Sequence, residues 1–117
     1  MPTYNSTGLV PTTEFMIVCS DETTAITTGT AKVTFRMPFA MTLSSLRASV
    51  TTAPVGSTII IDVNDSGTTV MTTNKLSIDA SEKTSTTAAT AHTLTDTALA
   101  DDAEITIDFD QVGSGTA

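Results

Sequence analysis

Asp62, Asn64, Ser66 and Gly67 stand at the spacing that opens a calcium-binding loop. Alternating oxygen-bearing side chains followed by a glycine are what a hard cation needs at a sharp turn. A twelve-residue loop of that kind closes on a bidentate Glu, and Thr73 occupies the closing position. The same residues also make a turn in which Asp and Asn side chains bond their own backbone. That reading outweighs the metal one, and no metal site is expected. Asp101, Asp102, Glu104, Asp108 and Asp110 form a second acidic group. Paired carboxylates can act on a glycosidic bond, but such clefts are lined with aromatic rings. Aromatic residues make up only 4% of this chain, with no Trp and a single Tyr, Tyr4. The acidic group reads instead as a solvated face whose charge discourages edge-to-edge association.

His92 is the single histidine. It sits among Ala and Thr, with no Cys, Asp or Glu within three residues. A base without an orienting group or a nucleophile is a poor catalyst, so His92 reads as a surface or edge-strand residue. Cys19, the one cysteine, excludes an intrachain disulfide. It lies in the apolar run Phe15-Met16-Ile17-Val18-Cys19 and reads as a buried structural thiol. No catalytic or cofactor-binding residue emerges, and the expectation is a protein that is not an enzyme and holds no cofactor.

The elements that position these groups read as strands. At 117 residues the chain suits one domain. Roughly a quarter of the residues are threonine, which fits the wet face of a pleated sheet. The net charge is −8 with five basic residues, too few to neutralise a phosphate backbone, so nucleic acid is not an expected partner. An anionic membrane surface would repel the chain, and no apolar stretch is long enough to span a bilayer. The N-terminus has neither the basic nor the apolar region of a secretory signal.

Residues 1–13 read as an extended arm and residues 14–117 as one domain. Ser57 to Thr72 reads as a hairpin: the β-branched run Ile59-Ile60-Ile61 with Val63, the turn Asn64-Asp65-Ser66-Gly67, and a return strand over Thr68 to Thr72. Further strands are expected over Glu14 to Ser20, Lys32 to Met37, part of Met41 to Thr51, Asn74 to Ala80 and Glu104 to Asp110. Thr84 to Leu94 is a loop or a weak edge strand. Asp96 to Asp102 is a loop with Leu99 as a core plug. The alternation places Phe15, Ile17, Val33, Phe35, Leu46, Val50, Ile60, Leu76, Ile78, Ile105, Ile107 and Phe109 inward. Ile59 and Ile61 stay open between burial and an interface. About seven strands at this spacing predict an all-β fold, an antiparallel β-sandwich or jelly-roll-like barrel. The run from Phe35 to Met41 is rich in Met and Phe. It belongs mostly to the core at a sheet corner, with Arg36, Met37, Phe39 and Met41 as candidate partner contacts. Tyr4, Leu9 and Val10 give the arm apolar groups to dock elsewhere.

Two long phrases resemble a family. The run TGTAKVTFRMPFAMTLSSLRASVTTAPVGSTIIIDVN, residues 28–64, is similar to small virion structural proteins of tailed bacteriophages, especially marine and cyanobacterial ones. The run IDASEKTSTTAATAHTLTDTALADDAEITIDFDQVGS, residues 78–114, resembles the same group. The resemblance implies a β-rich virion component without enzyme activity. It would be a capsid decoration (cement) protein bridging major capsid subunits on the capsid exterior or, alternatively, a tail-fibre or receptor-binding module. In that family a further apolar strand follows the segment matching Asp110 to Gly113, whereas this sequence reaches Ala117. An unpaired sheet edge and a homo-oligomer are therefore expected, with a trimer favoured by the family analogy.

Overall fold

Ile105, Ile107 and Phe109 alternate with Thr106 and Asp108 in the longest clean period-two run of the chain. Such a run has one dry face and one wet face, and it requires neighbours on both edges to satisfy its backbone. The computed structural model, which describes residues 12–117, gives it both. The described residues hold seven strands: β1 (Gly29–Arg36), β2 (Met41–Thr42), β3 (Ile59–Asp65), β4 (Thr68–Thr69), β5 (Leu76–Ile78), β6 (Ala98–Leu99) and β7 (Glu104–Gln111). The fold is all-β and every pairing is antiparallel. β7 lies between β1 and β3, and β4 and β5 pair with β3 on its far edge. β2 and β6 make a separate two-stranded sheet. The only helical element among the described residues is a 3-10 turn at Ser85–Thr87.

Register decides which face is dry. Val63 pairs with Ile107 and Ile61 with Phe109, while on the other side Val33 pairs with Ile107 and Phe35 with Ile105. Directly paired residues share a face, so these side chains form one apolar surface. β5 extends it, with Ile78 opposite Ile59 and Leu76 opposite Ile61. Ile59, Ile61, Leu76, Ile78, Ile105, Ile107 and Phe109 are buried there. A second layer covers them. It is built from β2, β6 and the connecting chain, which contribute Leu99 and the half-buried Met41, Leu43, Leu46, Ala48, Val50 and Leu94. Each fully buried aliphatic side chain contributes roughly 1.5–3 kcal/mol.

The hairpin turns at Ser66-Gly67, both with positive φ (51° and 88°), the two-residue geometry that matches strand twist. The return strand is short: Val70 N–H still bonds the Val63 carbonyl at 2.9 Å, but the chain turns off beyond it, and Val70 and Met71 bury completely. Thr95 N–H bonds the Val70 carbonyl at 2.7 Å, holding that departure in place.

Several expectations are corrected. Glu14 to Ser20 is not a strand of the sheet, and Phe15 is 45% exposed rather than core. Its ring stands edge-on against Phe35, with centroids 6.1 Å apart. Ile60 faces away from the core, because pairing of Ile59 with Ile78 and of Ile61 with Leu76 and Phe109 sets those two inward. Met41 to Thr51 keeps only β2 and a single bridge from Ser49 to Thr84. Leu46 and Val50 pack on the core half-buried, without a ladder. Leu99 does plug the core.

The two faces of β3 and β7 give a direct test. Phe109→Ala should cost about 3–5 kcal/mol in chemical denaturation. Ile60→Ala, on the opposite face and only half-buried, should cost less than about 2 kcal/mol. Equal losses would show that the faces are assigned wrongly.

Candidate functional site

The chemistry-bearing side chains gather on the polar face of the same sheet. The register that aligns the core sets Asp62 of β3 opposite Asp108 of β7. Asp110 follows two residues on, so it shares that face. Carboxylate oxygens of Asp62, Asp108 and Asp110 all lie within 4.8 Å of one another. Asp62 is 7% exposed, so its charge requires a partner.

Lys75, just before β5, supplies it. Its Nζ lies 3.1 Å from Asp62 Oδ1. The ammonium also donates to Thr69 Oγ1 at 3.2 Å and to the Met71 carbonyl at 3.3 Å. Three donors meet three acceptors, the full capacity of a lysine. Thr69 Oγ1 accepts from Met71 N–H as well, at 3.1 Å, and donates its own proton to Asp62. Asp108 is occupied too. It accepts from Ala31 N–H at 2.7 Å and from Asn64 Nδ2 at 3.0 Å. Among the described residues no buried side-chain polar atom lacks a partner. The cluster thus carries its own cation, Lys75, held against Asp62.

Asp110 lies at the open side. Burial pushes its carboxyl up from the ordinary range, the Asp62 charge adds to that, Lys75 opposes it, and Asp108 adds again.

A second acidic group lines an open cleft at the hairpin tip, with Arg36, Asp65, Ser66, Asp96, Asp101, Asp102 and Glu104. Arg36 lies 3.6 Å from Glu104 and 4.0 Å from Asp102, and it donates to the Asp102 carbonyl at 3.1 Å. Burial pushes the Asp96 carboxyl up, and a hydrogen bond and negative charge from Asp65 push it further, while Ala98 N–H opposes.

The acidic residues singled out in the sequence therefore divide. Asp108 and Asp110 join Asp62 beside Lys75, while Asp101, Asp102 and Glu104 stand exposed around Arg36. Asp62, Asn64 and Ser66 do not converge as a calcium loop, because Asp62 is engaged by Thr69 and Lys75 and Asn64 by Asp108. His92 is half-buried, and its Nε2 accepts from Leu46 N–H at 3.2 Å, which ties two loops together. Cys19 is half-buried, and burial pushes its thiol up, away from reactivity. The candidate partner residues separate as well. Met37 is 2% exposed and belongs to the core, which removes it as a contact. Met41 is half-buried in β2, while Arg36 and Phe39 are exposed. Tyr4, Leu9 and Val10 lie outside the described residues. Sequence reasoning missed Lys75, Thr69 and Asp96. Thr69 in β4 and Lys75 just before β5 look like solvated residues until the register is known.

Lys75→Met should cost about 2–3 kcal/mol at neutral pH, because it strands a buried carboxylate. Adding Asp62→Asn should recover about 1 kcal/mol of that loss, a coupling that chemical denaturation of the four proteins measures. Asp110 carries the opposite sign from a salt-bridged carboxylate. Its folded-state pKa lies above the unfolded one, so its contribution is complete at low pH and is lost as pH rises through the raised value. Asp110→Asn should therefore raise the melting temperature at about pH 7 and leave it unchanged near about pH 3. Comparison of the chain with protein-family models, curated proteins and solved structures finds no match in any of the three.

Proposed function

We propose that this chain is a structural protein of a virus particle, a capsid decoration (cement) protein that sits on the capsid exterior and bridges neighbouring major capsid subunits. The observation that supports this best is a set of large apolar side chains left exposed. Phe15, Met16, Val18 and Phe39 are 45%, 89%, 75% and 42% exposed. Large apolar side chains held in water mark a surface that is covered in an assembly. The similarity of residues 28–64 and 78–114 to small phage virion proteins supplies the class of assembly. The carboxylates best placed for chemistry are already held by Lys75, Thr69, Asn64 and Ala31, which favours a scaffold over a catalyst. Each copy of a decoration protein needs only a few kcal/mol of contact energy, because copies repeat over a shell and act together. The protein would act as a homo-oligomer on that shell.

Copy number in purified virions carrying the chain tests this reading. Quantitative mass spectrometry against the major capsid protein should give hundreds of copies per particle. A few to tens would replace decoration by the tail-fibre reading, and absence from virions would end both.

A further inference from the structure

A neutral imidazole carries one N–H and one bare nitrogen that accepts a hydrogen bond. In His92 the bare nitrogen is Nε2, which accepts from Leu46 N–H at 3.2 Å. That bond closes a seam in the covering layer. Residues 43–50 run antiparallel to residues 83–97. Leu43 N–H bonds Thr97 O at one end, and Val50 N–H bonds Lys83 O and Ser85 N–H bonds Ala48 O at the other. Between those ties, residues 44–47 make no backbone–backbone bond among the described residues. The His92 ring is the fastener of this stretch. The residue it fastens, Leu46, packs half-buried on the core.

We propose that His92 is a proton-operated latch: uptake of a proton at Nε2 releases Leu46 N–H and lets residues 44–47 lift from the core. An imidazolium donates from both nitrogens and accepts at neither, so it would set N–H against N–H. The bond is therefore complete at about pH 8 and lost as pH falls to about 5, the interval in which an imidazole ordinarily takes a proton. Nothing around the ring holds the charged form in place. His92 makes no salt bridge among the described residues. Arg47, next to Leu46, is exposed and carries the same sign as the imidazolium. Of the charged groups on the other segments packed here, Lys75 is held by Asp62, and Lys83 stands at the far tie. Asp79 accepts from Ala89 N–H at 2.8 Å, Glu82 accepts from Thr87 Oγ1 at 2.7 Å, and Asp96 bonds Asp65. The ring is half-buried, so water reaches it and the charged ring has a way out. The latch extends beyond the virion reading and does not depend on it.

Backbone amide exchange of the full chain, followed by NMR at about pH 8 and about pH 5 and corrected for the intrinsic effect of pH, tests the latch. Protection of Leu46 N–H should fall roughly fivefold to tenfold on acidification, as loss of one hydrogen bond requires. Leu43 and Val50 N–H, tied to carbonyls, should change less than about twofold. His92→Gln offers an amide oxygen at the reach of Nε2 and does not titrate, so it should keep Leu46 protected and abolish the acid step. His92→Phe should leave Leu46 N–H unprotected at both values. Ring nitrogen shifts of the unsubstituted protein should place the neutral ring's proton on Nδ1, a readout that stands even if a variant folds poorly. A neutral ring protonated at Nε2, or Leu46 protection unchanged by acid, would overturn the proposal. So would an acid step that persists in His92→Gln, which would assign it to the carboxylates instead.

Discussion

Asp62 opposite Asp108 is the constraint around which this molecule is arranged. Like charges directly across a ladder destabilise a sheet. The register cannot slip to separate them, because a one-residue shift would turn Ile59, Ile61 and Val63 out to water. Core alignment thus fixes an unfavourable pair on the opposite face. Lys75 and Asn64 relieve it, and Lys75 reaches it only because β5 pairs on the outer edge of β3. The short β4 contributes Thr69 to the same network. Two strands of two and three residues, too small to add much ladder, place Thr69 and the adjacent Lys75 against the centre of the sheet.

The covering layer follows a different rule. Long connections over an apolar face must still satisfy their backbone groups. Here they do so one bond at a time. Leu43 N–H bonds Thr97 O at 2.7 Å, Val50 N–H bonds Lys83 O at 3.0 Å, and Thr93 N–H bonds Asn74 O at 3.0 Å. Threonine and serine side chains fill the gaps, as where Ser85 Oγ accepts from Ala48 N–H at 2.9 Å. The abundance of threonine therefore supports irregular chain as well as strand faces. Close approach adds to this. A Cβ on Gly113 would lie 2.9 Å from both Pro54 Cα and Ser57 O, so only glycine lets β7's exit pass that loop.

The strands that form the large sheet were legible because period-two alternation survives in them. β1, β5 and β7 and the β3 hairpin lie where Val33-Phe35, Leu76-Ile78, Ile105-Ile107-Phe109 and Ser66-Gly67 place them. Failures occurred where both faces of a segment are apolar. Ile59-Ile60-Ile61 has no internal phase, and only pairing with Phe109 and Ile78 assigns one. Phe15 to Cys19 has strand composition without a ladder. Val70 and Met71 read as the continuation of a strand, yet the strand ends before them and both bury. The carboxylate network was the least legible part. Its members lie at positions 62, 69, 75, 108 and 110, and no local spacing connects them.

β7 sits between β1 and β3 although it follows both in sequence, and its pairing of Phe109 with Gly29 joins residues far apart along the chain. During synthesis β1 and β3 emerge early, each with an apolar face and an edge that only β7 can fill. β3 can pair with β4 and β5 as they follow it, but β1 and β3 cannot be joined until residues 104–111 have left the ribosome. The sheet therefore closes last at its centre, a topology of non-local contacts that folds slowly. Until then the chain has two open edges, and its acidic charge is what keeps those nascent strands apart from one another's copies.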